Sequence, residues 1–535
     1  MNRNAIILAA GKSNRFAPFT YERPKGLFRV KDEILIERQI EQLIQAGINE
    51  IYVVVGYMKE KFFYLEQKYK EVKLLINNNF GTKGNLFSLF TARDFLNNSF
   101  ISYADYYFAE NPFIIYDSKF EDNRSFHTCV YKRGKFNGFS IHLSDAGVIT
   151  HVNLGGEDRM AMIGPAYFNE NFSKRFVNFM NQEINDFRIN SLFWEEFFER
   201  HIDDLTLFAK EVSEDSIMEF NNIDDLRQFD SDFLRNVDST IISNIVSHFN
   251  CNPNEIVDIS VINAGLTNVS FVFTLKGKKY VYRHPGGNAD NLINRQTEIF
   301  SQLKAVELGI DPSVIRISRD GWKLSYLVTD LAPVDFEKYP WQKKKCFEYI
   351  HLIHSVEPDE TVKVFDIMNE GKRLIKLACA SKGNLFKEFK TILDKLDKLD
   401  GYLKKDSQEN GFPWVLSHGD VYEPNFLATK SGKLYLIDWE YSGINDPAHD
   451  INSILTRYEF TDSEIEDYYR DYFGRELTPE EHRHYYGQLP ISAFYWLCWG
   501  LYKGSIGDDD GFFMLTAYRN IIRFIDKSLA LFEEK

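Results

Sequence analysis

Ala5-Ile6-Ile7-Leu8-Ala9-Ala10-Gly11-Lys12-Ser13-Asn14-Arg15 passes from an unbroken apolar run into a glycine-led turn carrying two cations. An apolar run without polar alternation reads as a strand buried on both faces, the pattern of parallel sheets. Working outward, Leu35–Ala46 has apolar residues at helical spacing, and Ile51–Val55 is a β-branched strand opening on Gly56. Leu74–Ile76, a helical Asn85–Leu96 and Phe100–Ala104 continue the alternation. Strands separated by helices predict βαβ units and a mostly parallel sheet. Ligands of such sheets bind beyond the carboxyl ends of the strands, so the residues just after each strand matter most.

The chain has 535 residues, 44% of them hydrophobic and 26% charged, which is too long for one ordinary domain. With 63 Lys+Arg against 78 Asp+Glu the net charge is −15, which argues against a basic footprint for nucleic acid or an anionic membrane. Cys129, Cys251, Cys346, Cys379 and Cys498 show neither disulfide nor zinc spacing. A reducing cytoplasm is expected. No basic leader precedes the first strand, and the most apolar stretch, Phe494 to Tyr502, is too short to span a bilayer.

The polar segment Glu211–Asp238 precedes a fresh pattern, which places the domain boundary near 230, with domains expected over 1–230 and 236–535. Strand-like Ile256–Asn263, Ser270–Leu275 and Lys279–His284 then lead to a helical Ile293–Leu308. Beyond about 335 the pattern is mainly helical, interrupted by a strand pair, Phe426–Thr429 and Leu434–Asp438, around Lys430-Ser431-Gly432. The fold class expected is α/β, a Rossmann-like domain followed by an α+β domain.

A tight turn at a strand end, with backbone N–H groups exposed and cations nearby, suits a triphosphate. The fuller string Leu8-Ala9-Ala10-Gly11-x-x-x-Arg15-Phe16-x-Pro18-Phe19-Thr20-x-x-x-Pro24-Lys25 resembles the signature of the sugar-phosphate nucleotidyltransferase superfamily. Gly47-Ile48-Asn49-Glu50-Ile51, Val55-Gly56-Tyr57, Asn85-Leu86-Phe87-Ser88-Leu89 and Ala104-Asp105-Tyr106 are similar to bacterial CTP:phosphocholine cytidylyltransferases within it. The likeness covers roughly the first 230 residues, and Ser13 stands where the superfamily usually has a second glycine. It implies that Gly11, Arg15 and Lys25 hold the phosphates, that Asn85 and Ser88 lie near the pyrimidine and ribose, and that Asp105 binds Mg²⁺. Asn221 falls where the family has a second metal ligand and is otherwise a turn residue. Trp194, in Phe193-Trp194-Glu195, aligns with an aromatic segment that meets choline, though a Phe-Trp pair on a helix is more often core. Gly138, with Phe139 beside it, replaces a second cage aromatic.

The densest signal is Leu416-Ser417-His418-Gly419-Asp420-x-x-x-x-Asn425-Phe426-Leu427 followed by Leu436-Ile437-Asp438-Trp439-Glu440-Tyr441. An Asp, an Asn five residues on and a second Asp after the next strand are what phosphoryl transfer to a hydroxyl needs. The set resembles the choline/ethanolamine kinase and aminoglycoside phosphotransferase superfamily, whose fold is protein-kinase-like, and the likeness covers about 240 to 530. It implies that Asp420 is the catalytic base, that Asn425 and Asp438 hold Mg²⁺, that His418 braces the loop, and that Glu440 and Tyr441 face the acceptor. Gly265-Leu266-Thr267-Asn268 resembles the nucleotide-covering turn, Arg283 the cation reaching the ATP phosphates, Glu298 its ion-pair partner, and Tyr326–Asp330 the adenine-binding connection. Trp496 and Trp499 share one helix face, as core or as walls of an aromatic cage with Tyr441 and Phe513.

Together the resemblances imply a bifunctional enzyme: a choline kinase using ATP, and a cytidylyltransferase converting phosphocholine and CTP to CDP-choline for phosphocholine decoration of surface glycans. Ethanolamine or another small amino alcohol is the alternative acceptor, and an inactive binding module in one half is the other alternative.

Overall fold

The computed structural model describes residues 3–114, 124–262, 268–286, 292–380, 385–507 and 511–533. The chain packs as two compact units, one of Met1–Val261 with Thr274–Lys276, the other of Ile262–Phe273 with Gly277–Lys535. The separation therefore falls about thirty residues after the boundary expected near 230. The helices Ile223–Phe229, Phe233–Asn236 and Thr240–Phe249 stay with the first unit. Phe233 meets the rings of Phe19 and Phe28 there, and Ser239 is held by Glu22 at 2.5 Å.

The first unit is built on a seven-stranded sheet in the order Phe208–Glu211, Phe126–Leu143, Ile149–Phe168, Ser99–Tyr103, Asn4–Ala9, Ile51–Val55, Val72–Ile76. Asn4–Ala9 lies parallel to both neighbours, and the long strand Ile149–Phe168 runs antiparallel to both of its own. Burial explains the apolar run: Ala5, Ile7 and Ala9 enter one core while Ile6 and Leu8 enter the other, so the strand is covered on both faces. The helix Leu35–Gln45 packs Ile36, Ile40 and Leu43 onto this sheet. Its buried Gln39 donates to the carbonyls of Tyr103 at 2.8 Å and Tyr106 at 3.0 Å, pinning the turn that contains Asp105.

In the second unit Lys278–Pro285 pairs antiparallel with Lys323–Tyr326, which pairs antiparallel with Val314–Ile317, and Asn268–Leu275 flanks the other side. One helix, Arg295–Glu307, packs within this sheet-rich part. The remainder is mainly helical, with short strands Phe426–Thr429 and Leu434–Leu436 forming the expected hairpin. Leu489–Ser505 is buried along nearly its whole length, so it is a central helix of the unit rather than an amphipathic one. No helix among the described residues is long and apolar enough to cross a membrane.

Candidate active sites

In the first unit a cavity of about 350 Å³ opens at the carboxyl ends of Asn4–Ala9 and Ser99–Tyr103, walled by Gly11, Ser13, Lys25, Asn85, Ser88 and Asp105 among others. Ser13 has φ 49°, in the left-handed region that glycine enters without cost, which explains why a glycine suits this position. Gly26 lets the turn after Pro24 lie against the neighbouring strand end, since a Cβ there would be 2.8 Å from the Cβ of Ala104. This brings the buried Lys25 Nζ to 2.8 Å from Asp105 Oδ2 and 2.6 Å from the Phe220 carbonyl, above the Phe16 ring.

Asn85 is tied at both ends of its amide: Nδ2 donates to the Tyr103 hydroxyl at 2.5 Å, and Oδ1 accepts from the Trp194 backbone at 2.9 Å. Tyr103 in turn donates to Glu195 at 2.6 Å. Burial pushes the Glu195 carboxyl up to about 8, so this interior chain is neutral at physiological pH. Ser88 accepts from Asn77 Nδ2 at 3.0 Å, which leaves its hydroxyl proton to donate toward the cavity.

Three expected residues lie elsewhere. Trp194 is buried between His127, stacked at 5.6 Å, and Phe168, because the helix Trp194–Arg200 starts there with its first residue turned into the core. The aromatic that this segment presents to the cavity is Phe193, with Phe139 edge-on at 5.7 Å. Arg15 is exposed and Asn221 is exposed, neither lining the wall, and the Asn221 backbone caps onto Asp225 at 2.8 Å. Sequence reasoning missed Glu219. Its strand pairs antiparallel with Tyr106–Phe108, setting Glu219 opposite Tyr106 and so beside the Asp105 turn. The residue as a whole is exposed, yet its carboxyl is pushed above the usual range, first by desolvation and then by the negative charge of Asp105. The strand alternation Ile217-Met218-Glu219 was the available signal.

In the second unit Arg283 is the hub of the nucleotide side. Its guanidinium is paired with Glu298, donates to the Gly321 carbonyl at 3.1 Å, and lies 3.5 Å from Asp438 Oδ1. Arg295 holds the other oxygen of Glu298 at 2.8 Å. Burial works against the charges of Glu298, but the two arginines outweigh it and keep its carboxyl below the usual range. Nε and Nη1 of Arg283 are buried with no hydrogen-bond partner among the described residues, Nη1 having only the longer ion-pair contact with Asp438. Tyr326 to Asp330 line a separate cavity of about 390 Å³, where Asp330 stands 3.3 Å from Lys430. The expected nucleotide-covering turn at 265–267 lies outside the described residues.

The catalytic loop is held from below by Asp450. Its carboxylate accepts from the backbone of His418 at 2.9 Å and Gly419 at 2.8 Å, and contacts His354 at 3.0 Å. Despite burial, these donors pull its carboxyl down to about 2. His418 meets the Ile437 carbonyl at 3.0 Å through Nε2 and accepts from the Asp420 backbone at 3.2 Å through Nδ1, joining the loop to the Asp438 strand. Gly419 has φ 84°, and a Cβ there would sit 2.2 Å from the Tyr441 carbonyl, so only glycine fits. Asn425 Nδ2 donates to Asp420 Oδ2 at 3.0 Å, which turns its Oδ1 away from the base. Burial raises the Asp420 carboxyl in spite of nearby Arg457 and His418. The oxygen donors of Asn425 and Asp438 form a hard set that suits Mg²⁺.

Tyr441, Trp496 and Trp499 do cluster: Trp496 meets Tyr441 edge-on at 5.8 Å and Trp499 at 6.1 Å, and the Trp499 N–H donates to the Tyr441 hydroxyl at 2.9 Å. The face of Trp496 is not bare, however. Arg457, which no motif marked, lays its guanidinium carbon 3.5 Å from the Trp496 ring centroid and bonds Asp420 Oδ1 at 2.5 Å. Buried Lys503 stands 5.6 Å from the Trp499 ring. An internal cation thus covers each indole of the expected cage. Glu440 is buried beside Tyr441 and adds its charge to the field at Arg283.

These two sites define a nucleotidyltransferase domain and a kinase-like phosphotransferase domain in one chain. Residues 5–114 match the MobA-like NTP transferase domain and residues 258–485 the Phosphotransferase enzyme family, APH. The chain belongs, through its first unit, to the bacterial cytidylyltransferases of the MobA-like class. It is 35% identical over 237 residues to 2-aminoethylphosphonate cytidylyltransferase of Lancefieldella rimae, covering 43% of this chain and 93% of that protein. It is 30% identical over 226 residues to choline-phosphate cytidylyltransferase of Streptococcus pneumoniae, covering 42% of this chain and 96% of that protein. Over the second unit the chain is similar to protein LicA of Haemophilus influenzae, 23% identical over 282 residues, 50% of this chain and 99% of that protein.

Proposed function

We propose that the chain is a bifunctional enzyme that phosphorylates a small amino alcohol with ATP in its second unit and activates the phosphorylated product with CTP in its first. The observation that carries this reading is the coexistence, in one chain, of the Lys25–Asp105 pair on a cavity of about 350 Å³ and the Asp420, Asn425, Asp438 and Arg283 constellation. In the second unit the acceptor hydroxyl attacks the γ-phosphorus while Asp420 takes its proton, and Arg283 steadies the phosphates. Asn425 and Asp438 would hold Mg²⁺, which would supply neutralisation of the transferring charge there. In the first unit the acceptor phosphate attacks the α-phosphorus and pyrophosphate leaves. Lys25 bridges the two anions, and Asp105 with Glu219 offers oxygen ligands to Mg²⁺.

Choline, destined for surface glycans, is the acceptor that the choline-phosphate cytidylyltransferase likeness supports, with ethanolamine the runner-up. A specific observation favours another amino compound. The 2-aminoethylphosphonate cytidylyltransferase is the more similar of the two cytidylyltransferases, at 35% against 30%. Incubating the full chain with ATP, CTP, Mg²⁺ and a panel of choline, ethanolamine, their phosphates, 2-aminoethylphosphonate and sugar phosphates, with products read by mass, tests the reading. ADP and a CDP-linked product from one alcohol are expected. Formation of neither product from any candidate would overturn it.

A further inference from the structure

We infer that the alcohol phosphorylated by the second unit also carries an acidic group, a carboxylate or a phosphonate, and that Arg457 binds it. The inference rests on the proposed kinase activity and narrows its substrate class. Arg457 is the last residue of the helix Ala448–Arg457 and is 9% exposed. Its guanidinium occupies the Trp496 face at 3.5 Å, with the Tyr422 ring at 4.5 Å, and is fixed to Asp420 at 2.5 Å. A purely cationic acceptor seeking that indole would meet a buried positive charge in its place, which repels it.

Two donors of this stacked pair point to an anion. Arg457 Nε and Trp496 Nε1 are both buried without a hydrogen-bond partner among the described residues. A buried donor left without an acceptor is unfavourable. A carboxylate or phosphonate offers several lone pairs and satisfies both groups, whereas an ammonium has only donors and satisfies neither. Because Arg457 Nη2 is already on Asp420 Oδ1, an anion bound at Nε lies within a few bonds of the base. That is the distance scale of a small molecule holding its acid and its hydroxyl on the same or adjacent carbons. In the reaction the acceptor oxygen forms its bond to the γ-phosphorus, the bond from that phosphorus to the ADP oxygen breaks, ADP leaves with the electron pair, and the hydroxyl proton passes to Asp420.

The test measures ADP and phosphorylated product from the full chain with choline, ethanolamine, serine and 2-amino-1-hydroxyethylphosphonate. Wild-type kcat/KM should be highest for one of the two acids, and which acid wins separates carboxylate from phosphonate. Arg457→Gln should lower kcat/KM for that acid relative to ethanolamine by about 10- to 100-fold, mostly through KM, as loss of a charged hydrogen bond predicts. Trp496→Phe, which removes the N–H and keeps a ring, should shift the ratio in the same direction. If Arg457→Gln does not fold, inhibition of the wild-type kinase by methylphosphonate or acetate, competitive with the acceptor, remains as the readout. Turnover of choline or ethanolamine with both acids inert, or equal loss with every acceptor in Arg457→Gln, overturns the acidic-acceptor inference alone. ADP formation with none of the alcohols overturns the kinase reading itself.

Discussion

Both units pair a buried cation with a carboxylate at their proposed sites, but the two carboxylates differ in exposure. Lys25 meets Asp105 on the wall of a cavity of about 350 Å³, with the Asp105 side chain 32% exposed. Arg457 meets Asp420 with their side chains 8% and 12% exposed, beneath an indole. Lys25 is itself 5% exposed, but Asp105 opens on the cavity, so incoming phosphates and Mg²⁺ can reach that carboxylate without first dismantling a pair buried on both sides. The closed pair cannot be separated cheaply, since breaking it strands a buried charge. The first site is therefore organised by its substrates, and the second is organised before they arrive.

The largest expected effect breaks that comparison at its closed side. Asp420→Asn removes the proton acceptor and should lower kinase turnover by about 100- to 10,000-fold, the range for a lost general base. Cytidylyl transfer to a supplied phosphorylated acceptor should persist, because Lys25 and Asp105 belong to the other unit. Next in size, Asp105→Ala should lower cytidylyl transfer by about 100- to 1,000-fold, as loss of one preorganised electrostatic contact to a transition state predicts. ADP formation should continue in that variant. Loss of both activities from either substitution, in a protein whose circular dichroism is unchanged, would show that the two sites are not independent.

What the sequence makes legible follows from how each feature is encoded. Asn4–Ala9, Ile51–Val55 and Ser99–Tyr103 stand within a residue or so of their expected bounds, because strands buried on both faces carry unbroken apolar runs. The hairpin of Phe126–Leu143 and Ile149–Phe168 escaped notice because much of it is exposed and its composition is mixed. Asp420, Asn425 and Asp438 are legible because they sit in one short stretch on a loop and two strand ends. Arg457 is not, since a helix terminus 37 residues away brings it to Asp420 through tertiary packing alone. Which of Phe193 and Trp194 faces the cavity depends on the entry angle of one helix, and adjacency in sequence does not record it.

A smaller effect sharpens the account of the closed pair. Burial raises the Asp420 carboxyl, and the positive charge of Arg457 acts in the opposite direction. The base must be ionised to accept a proton, so the kinase rate should fall as pH drops through this raised value, above the ordinary carboxylate range. Removing the positive charge in Arg457→Gln leaves burial less opposed, so the acid limb of the kinase profile should move to higher pH. The cytidylyltransferase profile should keep its position. A limb that stays put, or moves to lower pH, would mean that Arg457 does not act on the charge of the base.

The smallest effect lies at the open site. Ser13 holds φ 49° in the phosphate-side turn, where a non-glycine residue carries strain of about 1–2 kcal/mol. Ser13→Gly removes that strain but gives the unfolded chain extra freedom worth about 0.5–1 kcal/mol, so the net gain should be about 0.5 kcal/mol. For a unit of this size that corresponds to a rise in Tm of about 2 °C or less, read in the melting of the first unit. The matching glycine of the closed site has no such latitude, because a Cβ at Gly419 would press on the Tyr441 carbonyl. The open turn thus tolerates a side chain at a small cost, and the closed loop tolerates none. A Ser13→Gly protein that melts below wild type would show instead that the serine hydroxyl makes a contact stronger than the strain it carries.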